Sequence, residues 1–170
     1  VTINADVSGK KLNDIYSVVA WKADDAALAD SDVQEDIEDQ ELLSCDFALN
    51  DDDEIDYKSF QLVGVASLDK IAEDDVVYVY TDGSDIRKVA VGTETVEGVI
   101  DEIGKDYLTI GGKDYKLPPT GLVNGPALSD FDIDDEGIFY LDYAGKVFDF
   151  EGTSGTTDTY AVVKVFDTTD

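Results

Sequence analysis

The chain has no histidine and no methionine, and it carries one cysteine (Cys45), one tryptophan (Trp21) and one arginine (Arg87) in 170 residues. Histidine is the commonest general base near neutral pH and a usual ligand of zinc and copper, so most hydrolytic and redox chemistries are disfavoured. A lone cysteine has no partner for an intramolecular disulfide, and the fold must stand on packing. Positive charge is scarce as well: 12 Lys and Arg face 40 Asp and Glu, for a formal net charge of −28. Phosphate backbones and anionic bilayers reward clustered Lys and Arg, so this balance argues against nucleic acid and membrane surfaces as partners. No apolar run approaches the ~18 residues of a membrane-spanning helix. The opening Val1–Val7 lacks the charged and apolar regions of a secretory leader. A chain that starts at Val and contains no Met reads as a processed or excised piece.

What is present is enough for a core, since 43% of the residues are hydrophobic and a chain of this size buries most of its apolar surface on folding. Alternation of apolar and polar residues with period two, rich in β-branched and aromatic types, dominates the chain and predicts strands. It marks Val1–Val7, Ile15–Trp21, Phe60–Ala66, Val76–Tyr80, Ile86–Val91, Val96–Ile103, Tyr107–Ile110, Asp114–Leu117, Ile138–Tyr143, Val147–Phe150 and Tyr160–Phe166. Gly111-Gly112 falls between two of these runs, as a two-residue hairpin with positive φ requires. One segment departs from period two. Ala26–Leu43 places Leu28, Val33, Ile37 and Leu42-Leu43 near helical spacing among acidic residues, which predicts a short acidic helix inserted between strands.

The chain also repeats itself. Tyr16–Trp21 matches Val96–Asp101 and again Tyr160–Val165; Asp56-Tyr57-Lys58 matches Asp114-Tyr115-Lys116. Asp74-Asp75 with the run to Tyr80, then Asp82-Gly83, then Lys88–Gly92 matches Asp134-Asp135 with the run to Leu141, then Ala144-Gly145, then Lys146–Phe150. The expected architecture is therefore all-β in the main: two tandem small β-barrel or β-sandwich modules, with a short helical acidic insertion in the first. Residues 1–13 form an N-terminal strand, residues 14–93 the first module with its insertion at about 24–44, and residues 95–152 the second. Residues 156–170 read as the opening strand of a third module. A strand at each extremity invites pairing with its own module or with a neighbouring chain.

Acidic clusters are the one candidate for site chemistry. Asp51 and Asp53 sit in a run of carboxylates, as do Asp130, Asp132 and Asp134; Asp-rich loops can supply the several oxygens that calcium needs. None has the spacing of an EF-hand loop, and the competing reading is a solvated acidic face tuned to salt. Carboxylate pairs are too plentiful for any one of them to indicate glycoside hydrolysis, and no residue is expected to be catalytic. Trp21 ends an apolar strand and reads as core; Cys45, beside Phe47 and Leu49, reads as a small buried hydrophobe.

Val96–Pro118 and Asp134–Gly152 resemble the tandem small β repeats of Gram-positive (Firmicute) surface-layer and cell-wall proteins, which carry separate S-layer homology modules for wall anchoring. Tyr107, Thr109, Ile110, Gly112, Lys113 and Tyr115 match one hairpin of such repeats; Leu141, Asp142, Gly145, Lys146 and Val147 match another. The resemblance implies an extracellular, non-enzymatic structural role. The expected partner is the chain itself, as a lattice or filament subunit joined through edge strands with calcium assisting, and cell-wall glycan is reached through regions outside this chain. Two alternatives stand beside it: a carbohydrate- or ligand-binding β module of a larger secreted protein, and a structural protein of a halophile or its virus.

Overall fold

A computed structural model describes residues 2–6, 11–40, 44–119, 122 and 124–153. The chain is mainly β and sandwich-like, with ten strands in two five-stranded sheets and one α-helix among the described residues. The first sheet contains β1 (Thr2–Asp6), β2 (Lys11–Lys22), β3 (Gln61–Val63), β4 (Val76–Asp82) and β5 (Asp85–Gly92), in the spatial order β1-β2-β4-β5-β3. All of its pairings are antiparallel except β3 with β5. The second sheet contains β6 (Thr95–Ile103), β7 (Tyr107–Ile110), β8 (Lys113–Lys116), β9 (Glu136–Leu141) and β10 (Val147–Gly152), in the order β10-β9-β6-β7-β8, antiparallel throughout. The expected hairpin joins β7 to β8, with Gly111 at φ 57° and Gly112 at φ 79°. The expected strand at Phe60–Ala66 shrinks to β3, because Gly64 turns the backbone to φ 96° where it passes against the Val91 carbonyl. The expected strand at Tyr160–Phe166 lies outside the described residues.

The predicted acidic helix is α1 (Asp30–Asp39). It holds six carboxylates and no base, so propensity alone would not sustain ten residues. Two things hold it. Asp32 accepts the backbone N–H groups of Leu28 (2.8 Å) and Ala29 (3.0 Å) at its start, and Val33 and Ile37 are buried against the first sheet.

Three apolar clusters organise the molecule. The first lies between α1 with its flanking loops and one face of the first sheet: Val19 and Trp21 of β2, Val77 and Val79 of β4, Val89 and Val91 of β5. The second is enclosed by the second sheet, in which β6 pairs with β9 through Thr95–Val99 and with β7 through Ile100–Ile103, the latter interrupted by a register shift between Ile100 and Glu102 that bends the strand. The third joins the two sheets: Ala20, Val76, Tyr78, Tyr80 and Ala90 of the first meet Tyr140 and Phe148 of the second. Strand β4 is consequently buried on both faces from Val76 to Thr81, which explains its unbroken apolar sequence.

The strands β2-β4-β5 and β6-β9-β10 share order, direction and fine hydrogen bonding. Ala23 donates to Asp75 and accepts from Asp74, both at 2.8 Å; Ile100 does the same with Asp135 and Asp134, at 2.9 and 3.0 Å. Asp74 and Asp134 both adopt positive φ, 71° and 73°. The ladders place Lys22 opposite Val76 and Val99 opposite Glu136, so Val19 is the counterpart of Val96. The match of Tyr16 with Val96 is therefore out by three residues. The closing strands slip by the same amount: Lys88 and Asp149, opposite Tyr80 and Tyr140, are the equivalent pair, not Lys88 and Lys146. An odd slip exchanges the two faces of a strand, and letter similarity could not sense it in a strand apolar on both sides. The match of Asp56-Tyr57-Lys58 with Asp114-Tyr115-Lys116 fails altogether, since the first lies in a turn and the second on β8.

Candidate functional site

The five carboxylates expected to hold calcium fall in two separate turns, where that of Asp130 accepts a backbone N–H. Around Asp51 and Asp53 the turn is organised by Asn50, whose Oδ1 accepts the N–H groups of Asp52 (2.9 Å) and Glu54 (3.1 Å), while Asp53 sits at φ 61°. Asp130 accepts the Ala127 N–H at 2.7 Å ahead of the 3-10 turn Leu128–Asp130. The Asp132 N–H donates to Asp135 at 2.8 Å, and Asp134 takes the left-handed conformation that lets its own N–H reach Ile100. Among the described residues no three Asp, Glu or Cys side chains are grouped to hold a metal ion. All five carboxylates are exposed to solvent, Asp51 and Asp53 before β3 and Asp130, Asp132 and Asp134 before β9. Trp21 and Cys45 are both buried in the first cluster; burial, with Asp46 adding to it, pushes the Cys45 thiol up.

The feature with the most built-in geometry is the junction of the two sheets, which letter patterns did not reveal. Tyr78 on β4 donates to the buried carboxylate of Asp142 (3.0 Å), whose other oxygen accepts the N–H groups of Ala144 (2.8 Å) and Lys146 (2.9 Å). The Tyr80 and Tyr143 hydroxyls meet at 2.7 Å. Tyr78 packs edge-on to Tyr143 and Phe148, with centroids 5.3 and 5.8 Å apart. Lys22 reaches across to Asp149 (3.4 Å) while held by Asp74 (3.1 Å), and its ammonium lies 4.1 Å from the centre of the Tyr140 ring. Desolvation works against the Lys22 charge, but these carboxylates raise its pKa on balance. Burial, then the charge and hydrogen bond of Asp142, drive the Tyr78 phenol up; burial and the Tyr143 contact do the same for Tyr80. Tyr140, buried and donating to Glu151 (2.8 Å), is pushed up to about 12.

The junction uses the same face of both units. Tyr78 and Tyr80 of β4 occupy the places of Ile138 and Tyr140 of β9, and all four belong to the cluster between the sheets. Equivalent faces are therefore turned toward each other and covered, which leaves the sheet edges. These are β1 and β3 of the first sheet and β8 and β10 of the second. Strand β8 is short and exposes Lys113, Asp114 and Lys116, a pattern that discourages further pairing. Strand β3 has three residues. The longer edges are β1 and β10; among the described residues each is hydrogen-bonded on one side only. No helix of the described residues is long and apolar enough to cross a membrane.

Compared with known proteins, the chain matches no family model, no curated protein and no solved structure.

Proposed function

We propose that the chain is a non-enzymatic structural block of an extracellular surface layer or related cell-surface polymer, built from two copies of one β unit. The observation that carries this reading is the junction. It locks two units of like topology face to face with an apolar seam and a buried Tyr78–Asp142 hydrogen bond, so the pair is fixed as one piece. Because equivalent faces cover one another, that contact closes on itself and cannot propagate. Continued assembly then runs through strand edges, with β1 of one copy and β10 of another as the longer edges left open among the described residues, by main-chain pairing. Divalent cations act in this scheme as counterions that relieve repulsion between surfaces of net charge −28, without a resident cage of ligands. Attachment to wall glycan belongs to other regions of the protein.

The experiment is imaging of the purified chain by electron microscopy, with light scattering as concentration and calcium are raised and then a chelator added. Sheets or filaments that thicken with calcium and loosen with chelator are the expected result. A chain that stays monomeric at every concentration and calcium level overturns the reading.

A further inference from the structure

We propose that the groove between α1 and the segment 46–57 docks a cationic, amphipathic peptide segment of another protein. The groove is open and large, about 1140 Å³. Its floor is apolar: Phe47, Ile55, and the exposed side chains of Leu49 (59% accessible) and Tyr57 (38%). Five large apolar side chains are left exposed among the described residues, and two of them line this one depression. Its rim is acidic: Glu35 and Glu38 of α1 on one wall, Asp46, Asp53 and Glu54 on the other. No Lys or Arg lines it, and none of these five carboxylates takes part in an ion pair among the described residues.

That combination selects the occupant. A small hard cation has no use for an apolar floor and would need converging oxygens, whereas no three carboxylates converge among the described residues. An anionic partner is repelled by the rim. Lys and Arg side chains satisfy both parts, with aliphatic stems laid on Leu49, Ile55 and Tyr57 and charged heads toward the walls. The walls are preformed, so little ordering opposes binding. Gln34 ties α1 to the opposite segment, donating to the Cys45 carbonyl (3.1 Å) and accepting the Phe47 N–H (3.2 Å). Tyr57 donates to Asp30 (2.8 Å) and accepts the Leu68 N–H (3.0 Å). The second unit has the β7–β8 hairpin between its corresponding strands instead, so among the described residues this groove has no counterpart there. This inference is independent of polymer formation and stands or falls separately from it.

The test is fluorescence anisotropy with a labelled peptide of alternating Lys and Leu, against a Glu/Leu peptide of equal length. The expected result is one peptide per chain, weakened by salt, with no binding of the Glu/Leu peptide. Glu35→Lys with Glu54→Lys lowers affinity by about tenfold or more, and Leu49→Ser weakens it as well. Glu73→Lys with Glu97→Lys, the same charge change on exposed positions elsewhere, leaves it nearly unchanged. Equal loss in the groove and control variants means diffuse attraction to a polyanion and overturns the proposal, as does full affinity in Leu49→Ser. Self-association of the chain that the Leu49 and Glu35 changes abolish would assign the groove to a second copy, and would also overturn it. Circular dichroism confirms that each variant is folded.

Discussion

Asp74 and Asp134 show how much a single aspartate does here without any ligand. Each takes a positive φ, 71° and 73°, two residues before its strand, β4 or β9, and each sends its N–H across to a neighbouring backbone carbonyl, that of Ala23 just past β2 or of Ile100 in β6. Asp, like Asn, tolerates the left-handed region better than most residues with a Cβ because its short polar side chain bonds locally. At Asp134 the expected order is therefore Gly at least as stable as Asp, and Ala less stable by about 1 kcal/mol. Urea denaturation of Asp134→Gly and Asp134→Ala checks it, and a calcium-binding role would instead make both substitutions alike in their loss of a calcium-dependent stability increment. Trp21 is a second case. Its indole N–H is enclosed close enough to Asp36 to favour that carboxylate, yet short of a well-formed hydrogen bond. Burial, then the charges of Asp39, Asp24 and Asp32, outweigh that help and push the Asp36 carboxyl up.

Element by element, the strands were largely legible, because half-buried strands announce themselves by period two and the Gly111-Gly112 turn by its chemistry. Helix α1 was legible through Val33 and Ile37, spaced four apart on one face. Register was not: Tyr16–Trp21 and Val96–Asp101 look alike as letters, while the ladders equate Val19 with Val96. Nor was the groove, since Phe47, Leu49, Ile55 and Tyr57 lie in irregular backbone, a turn and an isolated bridge that carry no periodic signal. The helix also carries a correctable flaw. Asp39 is exposed in its last turn, where the helix dipole favours positive charge, and it adds to the repulsion felt by Asp36. Asp39→Lys is expected to stabilise the protein by about 0.5–1 kcal/mol in low salt. Thermal unfolding checks this, and the gain should shrink in high salt as the charges are screened.

For the whole molecule the question is whether the two sheets unfold as one. Gly92 passes so close to the next sheet that a Cβ there would meet the Leu141 carbonyl and the Asp142 backbone. Gly92→Ala must therefore part the sheets, at an expected cost of about 1–3 kcal/mol. Tyr78→Phe removes a hydrogen bond to a buried carboxylate, worth about 2 kcal/mol, while leaving the ring contacts in place. In either variant, unfolding in two steps where the parent shows one would mark the junction as the coupling element. Alkaline titration probes the same seam without mutation. Burial, aided by hydrogen bonding to Asp142, Tyr143 and Glu151 respectively, raises the pKa of Tyr78, Tyr80 and Tyr140 in the fold. Unfolded tyrosine ionises at about 10. Below that pH both states are protonated and the contribution to stability is whole; above it the unfolded chain sheds protons that the native one keeps, so stability falls as pH rises. The native chain should then hold these phenols un-ionised until the seam opens. Phenolate absorbance and the loss of folded circular dichroism are expected to rise together above about pH 10 for this set. Full phenolate absorbance with the folded signal intact would mean that water reaches the seam, and the two sheets would then be separate units joined only by the chain between β5 and β6.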